Sequence, residues 1–457
     1  MRMARMRAIP WLDDRRRAAE ETIFKARRLI DPRVGIIGRL WEYPGGSGDV
    51  ELYYYGTKVT ETSRFFESLR LTGNRSGGGA ALAKELAIAK AIGESVERYC
   101  ASMYDEEEMI YASFDEMGKE ALPPNHFTLF SERQYLKERF PFSRFTTKTK
   151  LRWMAGHSLI HHQPTYVPAL LVYVPYRGVT REELIYSPTS NGLAAATTVE
   201  EAILKGICEV VERDAYMIMW LNRLSTPGLD ICGCPNDAVR ELVEEFNTCG
   251  IHLFINDITT NLGIPTLAVL AVTESGEGPA AFVAAAAHLD PTVALVRSLE
   301  EAGQTRFGLK DFMAQTAPDR WMEEATKVDG LLAHPLFYAD ISKLSKLTFL
   351  SRHPKRVKFE ELENKSRGDI ISDLNTCLKM IASQGLDVIV VDITTPDIAD
   401  TGLHVVRTII PGTQPLDVQF GYPYLGGKRL YEVPRILGYR HEDTREEEIN
   451  LDPHPFP

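Results

Sequence analysis

Residues 198–220 read Thr198-Val199-Glu200-Glu201-Ala202-Ile203-Leu204-Lys205-Gly206-Ile207-Cys208-Glu209-Val210-Val211-Glu212-Arg213-Asp214-Ala215-Tyr216-Met217-Ile218-Met219-Trp220. Thr198 followed three residues later by Glu201 matches a capping box, and the pattern predicts a long helix from Thr198 to about Trp220. Residues three and four apart share a helical face, so Glu209 and Glu212 project together with Arg213 one turn after Glu209. These charges stand between Ile207-Cys208 and the run Ala215 to Trp220. A carboxylate in such apolar surroundings is costly unless it has a partner or a metal.

The same motif occurs a second time. Glu94-Ser95-Val96-Glu97-Arg98 closes an Ala-rich segment of helical periodicity that runs from Gly77-Gly78-Gly79 to Tyr99-Cys100 and is too apolar for a surface. For a single motif of this kind an exposed Glu–Arg salt bridge is the commoner explanation. Its repetition in apolar context weakens that explanation. A third helix opens at Asp290-Pro291, where the missing N–H of proline costs nothing, and carries Arg297, Glu301 and Gln304 at i, i+4 and i+7, then Arg306. Its other faces hold Val293, Ala294, Leu295 and Ala302. Adjacent carboxylates repel unless a cation lies between them, and Mg²⁺ suits, because it binds through one or two carboxylates together with phosphate oxygens and water. Three helices offering acids, bases and an amide from apolar bodies point to one polyphosphate–metal site.

Other chemistries find less support. The chain contains no Gly-x-x-x-x-Gly-Lys-Ser/Thr and no strand–Gly-x-Gly-x-x-Gly–helix fingerprint. Ser76-Gly77-Gly78-Gly79 could present N–H groups to an anion, although a tight turn into the helix is the commoner explanation. His157-x-x-x-His161-His162 has zinc-like spacing, but its neighbours read as extended and put the rings on the wrong faces for a helical pair. Cys232-Gly233-Cys234 lacks a second pair and reads as a loop, and no Gly-x-Ser-x-Gly occurs.

At 457 residues the chain is long enough for two to four ordinary domains of roughly 100–200 residues, or for one large α/β body with insertions. Its 44% hydrophobic and 25% charged residues are average for globular proteins, and the net charge of −11 argues against a nucleic-acid binder. Six cysteines are sparse, and Cys100 and Cys208 lie in apolar helical segments, as in a reducing compartment. The basic start Met1 to Arg7 runs into the charged Trp11 to Arg17, which fits no secretory signal, and no apolar stretch approaches the roughly 20 residues of a membrane helix. A cytoplasmic protein is expected.

Further helices are expected over Arg15 to Ile30 and near Asn236–Phe246 and Ile370–Gln384. Strand-like runs lie at Val50–Tyr55, Tyr166–Tyr173, Ile264–Val272, Ala280–Ala287, Asp387–Ile393 and Val405–Ile410. The charged, irregular stretch 318–368 reads as an insertion. This order predicts an α/β (α+β) fold with mixed sheets and long buried helices. The segment Pro453-His454-Pro455-Phe456-Pro457 alternates proline, which restricts its backbone and would aim the Pro457 carboxylate into a site.

Taken together, Glu94 to Arg98, Ser190-Asn191-Gly192-Leu193-Ala194 leading to Glu201-Ala202 and Glu209 to Asp214, and Arg297 to Arg306 resemble the YcaO family of ATP-dependent peptide-backbone-modifying enzymes. The resemblance runs from about Gly73 to Pro457, with residues 1–72 as an N-terminal segment of the same body, 73–457 as the catalytic domain and 411–457 as a tail returning to the active site. Asp392-Ile393-Thr394, Val405 to Gly412 and the terminal Pro453 to Pro457 look like the azoline-forming branch. The resemblance implies a non-Walker ATP site with Mg²⁺ held by Glu94, Glu97, Glu209 and Glu212. Nucleotide contacts would come from Lys90, Arg98, Thr197, Glu201, Arg213, Arg297, Glu301, Gln304 and Arg306. Lys90 stands where many members have Ser, and Ala196-Thr197-Thr198 where many have Gly-Asn-Thr.

By the same resemblance Pro457 would supply the catalytic carboxylate. The reaction implied is conversion of Cys, Ser or Thr in a ribosomally made precursor peptide to thiazoline or oxazoline. Two alternatives remain: a family member that installs thioamides or amidines, and a degenerate scaffold of a biosynthetic complex. Expected partners are the precursor peptide, a leader-binding protein of ubiquitin-activating-like or ThiF-like type, a flavin dehydrogenase that oxidises the rings, and a second copy in a homodimer. Neither nucleic acid nor membrane is expected.

Overall fold

The computed structural model describes residues 10–46, 48–60, 76–176, 180–273, 276–322, 330–419 and 421–456. Along the chain, helix α1 (Pro10–Ala26) precedes three antiparallel strands, β1 (Ile37–Tyr43), β2 (Tyr53–Val59) and β3 (Ser76–Ala81), which form one small sheet in that order. Helix α2 (Lys84–Ser102) follows. The glycine run is therefore a strand and not the helix entry expected from composition. A Cβ at Gly77 would lie 2.4 Å from the Ala91 carbonyl oxygen, and one at Gly79 would lie 2.2 Å from that of Ala87. Lacking side chains there, β3 lies directly against the backbone of α2, which no other residue type permits.

The middle of the chain gives β4 (Ile110–Ser113), β5 (Lys150–Ser158), β6 (Gln163–Pro168), β7 (Leu193–Ala196) and α3 (Val199–Leu221). The strand expected over Tyr166–Tyr173 stops at Pro168 and turns through Ala169–Leu171. After α3 come β8 (Gly228–Asp230), α4 (Asp237–Thr248), β9 (Ile251–Asp257), β10 (Thr266–Thr273), β11 (Ala281–Ala287) and α5 (Pro291–Gln315). Then follow α6 (Gly330–Phe337), β12 (Arg356–Lys358), α7 (Ile370–Ser383), β13 (Ile389–Asp392), β14 (His404–Ile409) and α8 (Lys428–Ile436). The stretch 318–368 thus contributes regular elements to the body, since β12 pairs in parallel with β8.

Two larger sheets result. One runs β11-β10-β9-β8-β12, and the other runs β4-β5-β13-β14-β7 with β6 added alongside β5. Strand β11, Ala281 to Ala287, is buried at every residue, as its unbroken small apolar sequence requires. Helix α3 is the spine. Its first half packs Ile203, Ile207 and Val211 with Ile264, Val388 and Val406, and its second half packs Tyr216 to Leu221 with Tyr338, Leu430 and Phe456. Thr198 caps α3 by accepting the Glu201 N–H, but the return half of the box is absent, because the Glu201 carboxylate turns to Thr197 and Lys205. Among the described residues no helix is long and apolar enough to cross a membrane.

Candidate active site

The three helices singled out in the sequence meet around a cavity of about 260 Å³. Helix α3 lines it with Lys205, Cys208, Glu209 and Glu212, α2 with Lys90, α5 with Arg297, Glu301 and Gln304, and β11 closes it with Ala286 and Ala287. Helical geometry accounts for the convergence: each helix brings its polar residues out on one stripe while the remaining faces are in the core.

Charge of both signs is concentrated here. Arg213 Nη1 donates to Glu212 Oε1 at 2.7 Å, and Arg213 Nη2 lies 3.7 Å from Glu209 Oε1. From α2, Glu97 accepts the Ala195 N–H at 2.7 Å. Burial, then the neighbouring Glu209, pushes the Glu97 carboxyl up to about 8. Burial also pushes Glu209 up to about 7, with Arg213 opposing, and Glu301 to about 8, with Glu212 adding to the effect. Glu212 is raised by burial as well, despite the Arg213 hydrogen bond. Four acids that resist ionisation beside one another are a donor set for a hard divalent cation. The residues present therefore fit Mg²⁺.

The cationic wall is differently built. Lys90 Nζ donates to Glu300 Oε2 at 2.7 Å and to the Ala80 carbonyl at 2.9 Å, while Glu300, fully buried, also accepts the Leu82 N–H at 3.0 Å. The sequence reading gave Glu300 no role, although it aims Lys90 at the cavity. At the head of α3, Thr197 Oγ1 donates to Glu201 Oε2 at 3.3 Å, and Lys205 Nζ lies 2.8 Å from Glu201 Oε1. Burial pushes Glu201 up, but Lys205 and Thr197 outweigh it and hold the carboxylate below its usual range.

A second cavity of about 230 Å³ adjoins the first and shares Gln304. Glu94 and Arg98 face this one. Glu94 is paired with Arg98 and accepts the Gly78 N–H, Arg98 also donates to the Ser76 carbonyl at 2.6 Å, and Gln304 Oε1 accepts the Ala80 N–H at 3.0 Å. With Gly77 N–H donating to Thr57, the glycine strand has its donors engaged internally and does not form an anion cradle. Glu94 thus faces the second cavity, whereas Glu97 stands by Glu209 at the first.

Arg306 does not join the site. It lies two and a half helical turns beyond Arg297, on the opposite side of α5, where its Nη1 pairs with Asp49 at 2.7 Å. Nothing in the local sequence announces Asp49, more than two hundred residues away. Pro457 lies outside the described residues. Its neighbour Phe456 is fully buried against Tyr216, and the Arg213 guanidinium stands 4.2 Å from its ring centroid. His157 sits on β5, whereas His161 and His162 lie in the turn after it. Arg407 on β14 is a residue without an assigned sequence role: it is 2% exposed, donates to the Thr189 carbonyl at 2.7 Å, and has no hydrogen-bond partner at Nε and Nη1 among the described residues.

A mixed α+β body that gathers helix-borne carboxylates and cations into a pocket without a phosphate-binding glycine loop defines a nucleotide- and metal-using enzyme of non-Walker type. The chain belongs to the YcaO family: residues 78–414 match the family described as YcaO cyclodehydratase, ATP- and Mg²⁺-binding. It is 27% identical over 386 residues to an uncharacterised protein of Methanothermobacter thermautotrophicus, covering 82% of this chain and 92% of that one. Among solved structures, a heterocyclase in complex with substrate and cofactor superposes with a TM-score of 0.81 at 27% identity, over 96% of this chain and 57% of that one. This chain thus spans little more than half of that heterocyclase. The YcaO protein of Methanopyrus kandleri, bound with AMPPCP and Mg²⁺, shares the fold with a TM-score of 0.63 at 19% identity, over 86% of this chain and 90% of that one.

Proposed function

We propose that the protein is an ATP-dependent cyclodehydratase acting on Cys, Ser or Thr of a ribosomally synthesised precursor peptide in the cytoplasm. One observation carries this reading: the half-buried Glu97 and Glu209 and the buried Glu212, from two helices, are gathered beside Lys90, Lys205 and Arg297. Such a site suits the triphosphate of ATP and its metal better than any neutral substrate. The likeness to a heterocyclase in complex with substrate and cofactor supports ring formation as the reaction class.

In this reading Glu97, Glu209 and Glu212 would hold Mg²⁺, with Glu94 as a further ligand offered from the adjoining cavity. Bound there, Mg²⁺ neutralises phosphate charge. Lys90, Arg297 and Gln304 hold and orient the nucleotide, Thr197 and Glu201 its sugar side, and Arg213 keeps the two carboxylates of α3 in place. The peptide thiol or hydroxyl attacks the preceding amide carbon as its proton passes to a base. The resulting oxyanion takes the γ-phosphoryl group from ATP, releasing ADP. Loss of the amide proton and departure of phosphate then form the C=N bond of the azoline. The amide oxygen leaves in phosphate, so no free water is made. We assign the base to the carboxylate of Pro457, because Phe456 already lies against Arg213 beside the carboxylate cluster.

The leader-binding partner, of ubiquitin-activating-like or ThiF-like type, the flavin dehydrogenase and the homodimer belong to the same proposal. The deciding experiment incubates the chain with ATP, Mg²⁺, a partner protein and a Cys-containing precursor and weighs the product. Loss of the elements of water at each ring, with ADP and phosphate formed in step, is expected. Exchange of oxygen for sulfur would move the assignment to thioamide formation, and absence of peptide-dependent ATP hydrolysis would make the chain a scaffold. Residues added after Pro457 should stop cyclisation and spare ATP binding. Normal cyclisation by that extended chain would remove Pro457 from the role of base.

A further inference from the structure

Away from the carboxylate pocket, the segment Asn450 to Phe456 runs back along α3 in the opposite direction. The Asn450 N–H donates to the Leu221 carbonyl at 2.7 Å, the Trp220 indole donates to the Asp452 carbonyl at 3.1 Å, and the Tyr338 hydroxyl donates to the Pro453 carbonyl at 2.7 Å. Asp452 also takes Arg223 at 2.8 Å and Lys346 at 2.7 Å. The next residue, His454, faces His334 of α6 and Asp417 of the loop after β14, and all three are buried, at 1%, 0% and 5% exposure. One ligating atom from each lies within 4.8 Å of the others. The two imidazoles stack with centroids 4.0 Å apart.

His454 has the hydrogen-bond pattern that metal-binding histidines show. His454 Nε2 lies 2.9 Å from the Asp417 carbonyl. A carbonyl only accepts, so Nε2 carries the proton and Nδ1 presents its lone pair. Nδ1 has no hydrogen-bond partner among the described residues. The His334 ring is held beside it by packing, fully buried and stacked on His454. A ring N–H donated to a carbonyl, with the other nitrogen directed inward, is how proteins orient imidazole ligands. Beside the trio the fully buried Tyr216 hydroxyl also has no partner among the described residues, and its ring stands 6.2 Å from that of His454.

We infer that His334, Asp417 and His454 bind a divalent first-row transition ion of the Zn²⁺ class, which fastens the segment 450–456 to α3 and α6. Two imidazoles and one carboxylate are the three-ligand set that zinc takes with water in the fourth position, and Tyr216 is placed to bond that water. Mg²⁺ is disfavoured by nitrogen ligands. Zinc bonds of about 2.0–2.1 Å separate ligand atoms by roughly 3.4 Å, so the trio contracts as the ion enters. The ion site stands independently of the reaction proposed above; only its consequence, a tail held beside Arg213, rests on that reading.

The test uses the full chain stripped of metal and titrated with Co²⁺ as a spectroscopic stand-in for Zn²⁺, with excess Mg²⁺ and a non-hydrolysable ATP analogue present to occupy the carboxylate pocket. One equivalent should bind and survive desalting, with a visible d–d band and two paramagnetically shifted exchangeable imidazole N–H resonances. Zn²⁺ should displace it. H334Q, D417N and H454Q should each weaken binding by at least roughly a hundredfold, the upper end of what a lost supporting contact costs. E212Q should retain the band and lose nucleotide binding, which separates failure of this site from failure of the ATP site. Absence of stoichiometric Co²⁺ in the unaltered chain, or binding without histidine resonances, overturns the proposal even if every variant misfolds.

Discussion

Glu97, Glu209 and Glu301 carry a conflict that belongs to single residues. Their carboxyls sit at about 8, about 7 and about 8 against an ordinary 4.5. Between pH 4.5 and 8 the nucleotide-free fold therefore keeps protons that the unfolded chain has released. More protons bound in the native state means that stability falls as pH rises through this window. Metal binding needs the ionised form and expels those protons. Mg²⁺-ATP should accordingly bind more tightly at pH 8 than at pH 6 and release protons at neutral pH, as calorimetry in buffers of differing ionisation enthalpy would detect. Equal affinity at both values would show that these carboxylates do not take up the metal. The substitutions Glu97→Gln and Glu212→Gln should each abolish Mg²⁺-ATP binding, and Glu97→Gln should also raise stability of the nucleotide-free chain at pH 8 by on the order of 1 kcal/mol, because an amide has no ionisation cost on burial. Denaturant titration with and without nucleotide reads both effects.

At the scale of elements, the contact of β3 with α2 is sensitive to substitution. Gly79→Ala should cost about 1–3 kcal/mol in chemical denaturation, since the new methyl must push the strand off the Ala87 carbonyl. Nucleotide affinity should fall with it, because β3 carries the N–H groups that hold Glu94 and Gln304. The three helices were legible in the sequence, because a stripe of charge at i, i+3/i+4 that recurs in apolar segments favours a buried polar face over an exposed ion pair. Their convergence was legible for the same reason. The glycine run misled because glycine in a turn and glycine at a close backbone approach look alike in one dimension. Pairings such as Lys90 with Glu300 and Arg306 with Asp49 were invisible, since they join positions whose proximity is created only by the fold. Arg407→Lys tests another such position. Its loss of a planar fork buried beside Glu209 should lower turnover more than nucleotide affinity, measured as separate kcat and KM effects.

For the whole molecule, the placement of residues 450–456 decides how damage spreads. Phe456 is fully buried against Tyr216. Deleting a ring from a packed core costs about 3–5 kcal/mol. A segment at the edge of the cooperative unit can instead release locally. Phe456→Ala should therefore expose residues 450–456 to proteolysis and hydrogen exchange, with cyclisation lost, while the global unfolding transition moves little and ATP binding persists. A large loss of global stability would mean that the segment is part of the common core.

The antiparallel course of that segment along α3 also sets an order in time. Every element lining the carboxylate pocket lies before residue 316, and Val388 and Val406, on which α3 packs, also precede the segment, so a growing chain has made the whole nucleotide pocket before Asn450 leaves the ribosome. The face of α3 later covered by Phe456 and His454 stays bare through the interval in which α6, α7 and α8 are made. Tyr216 is then a transient adhesive surface, which the arrival of the segment removes.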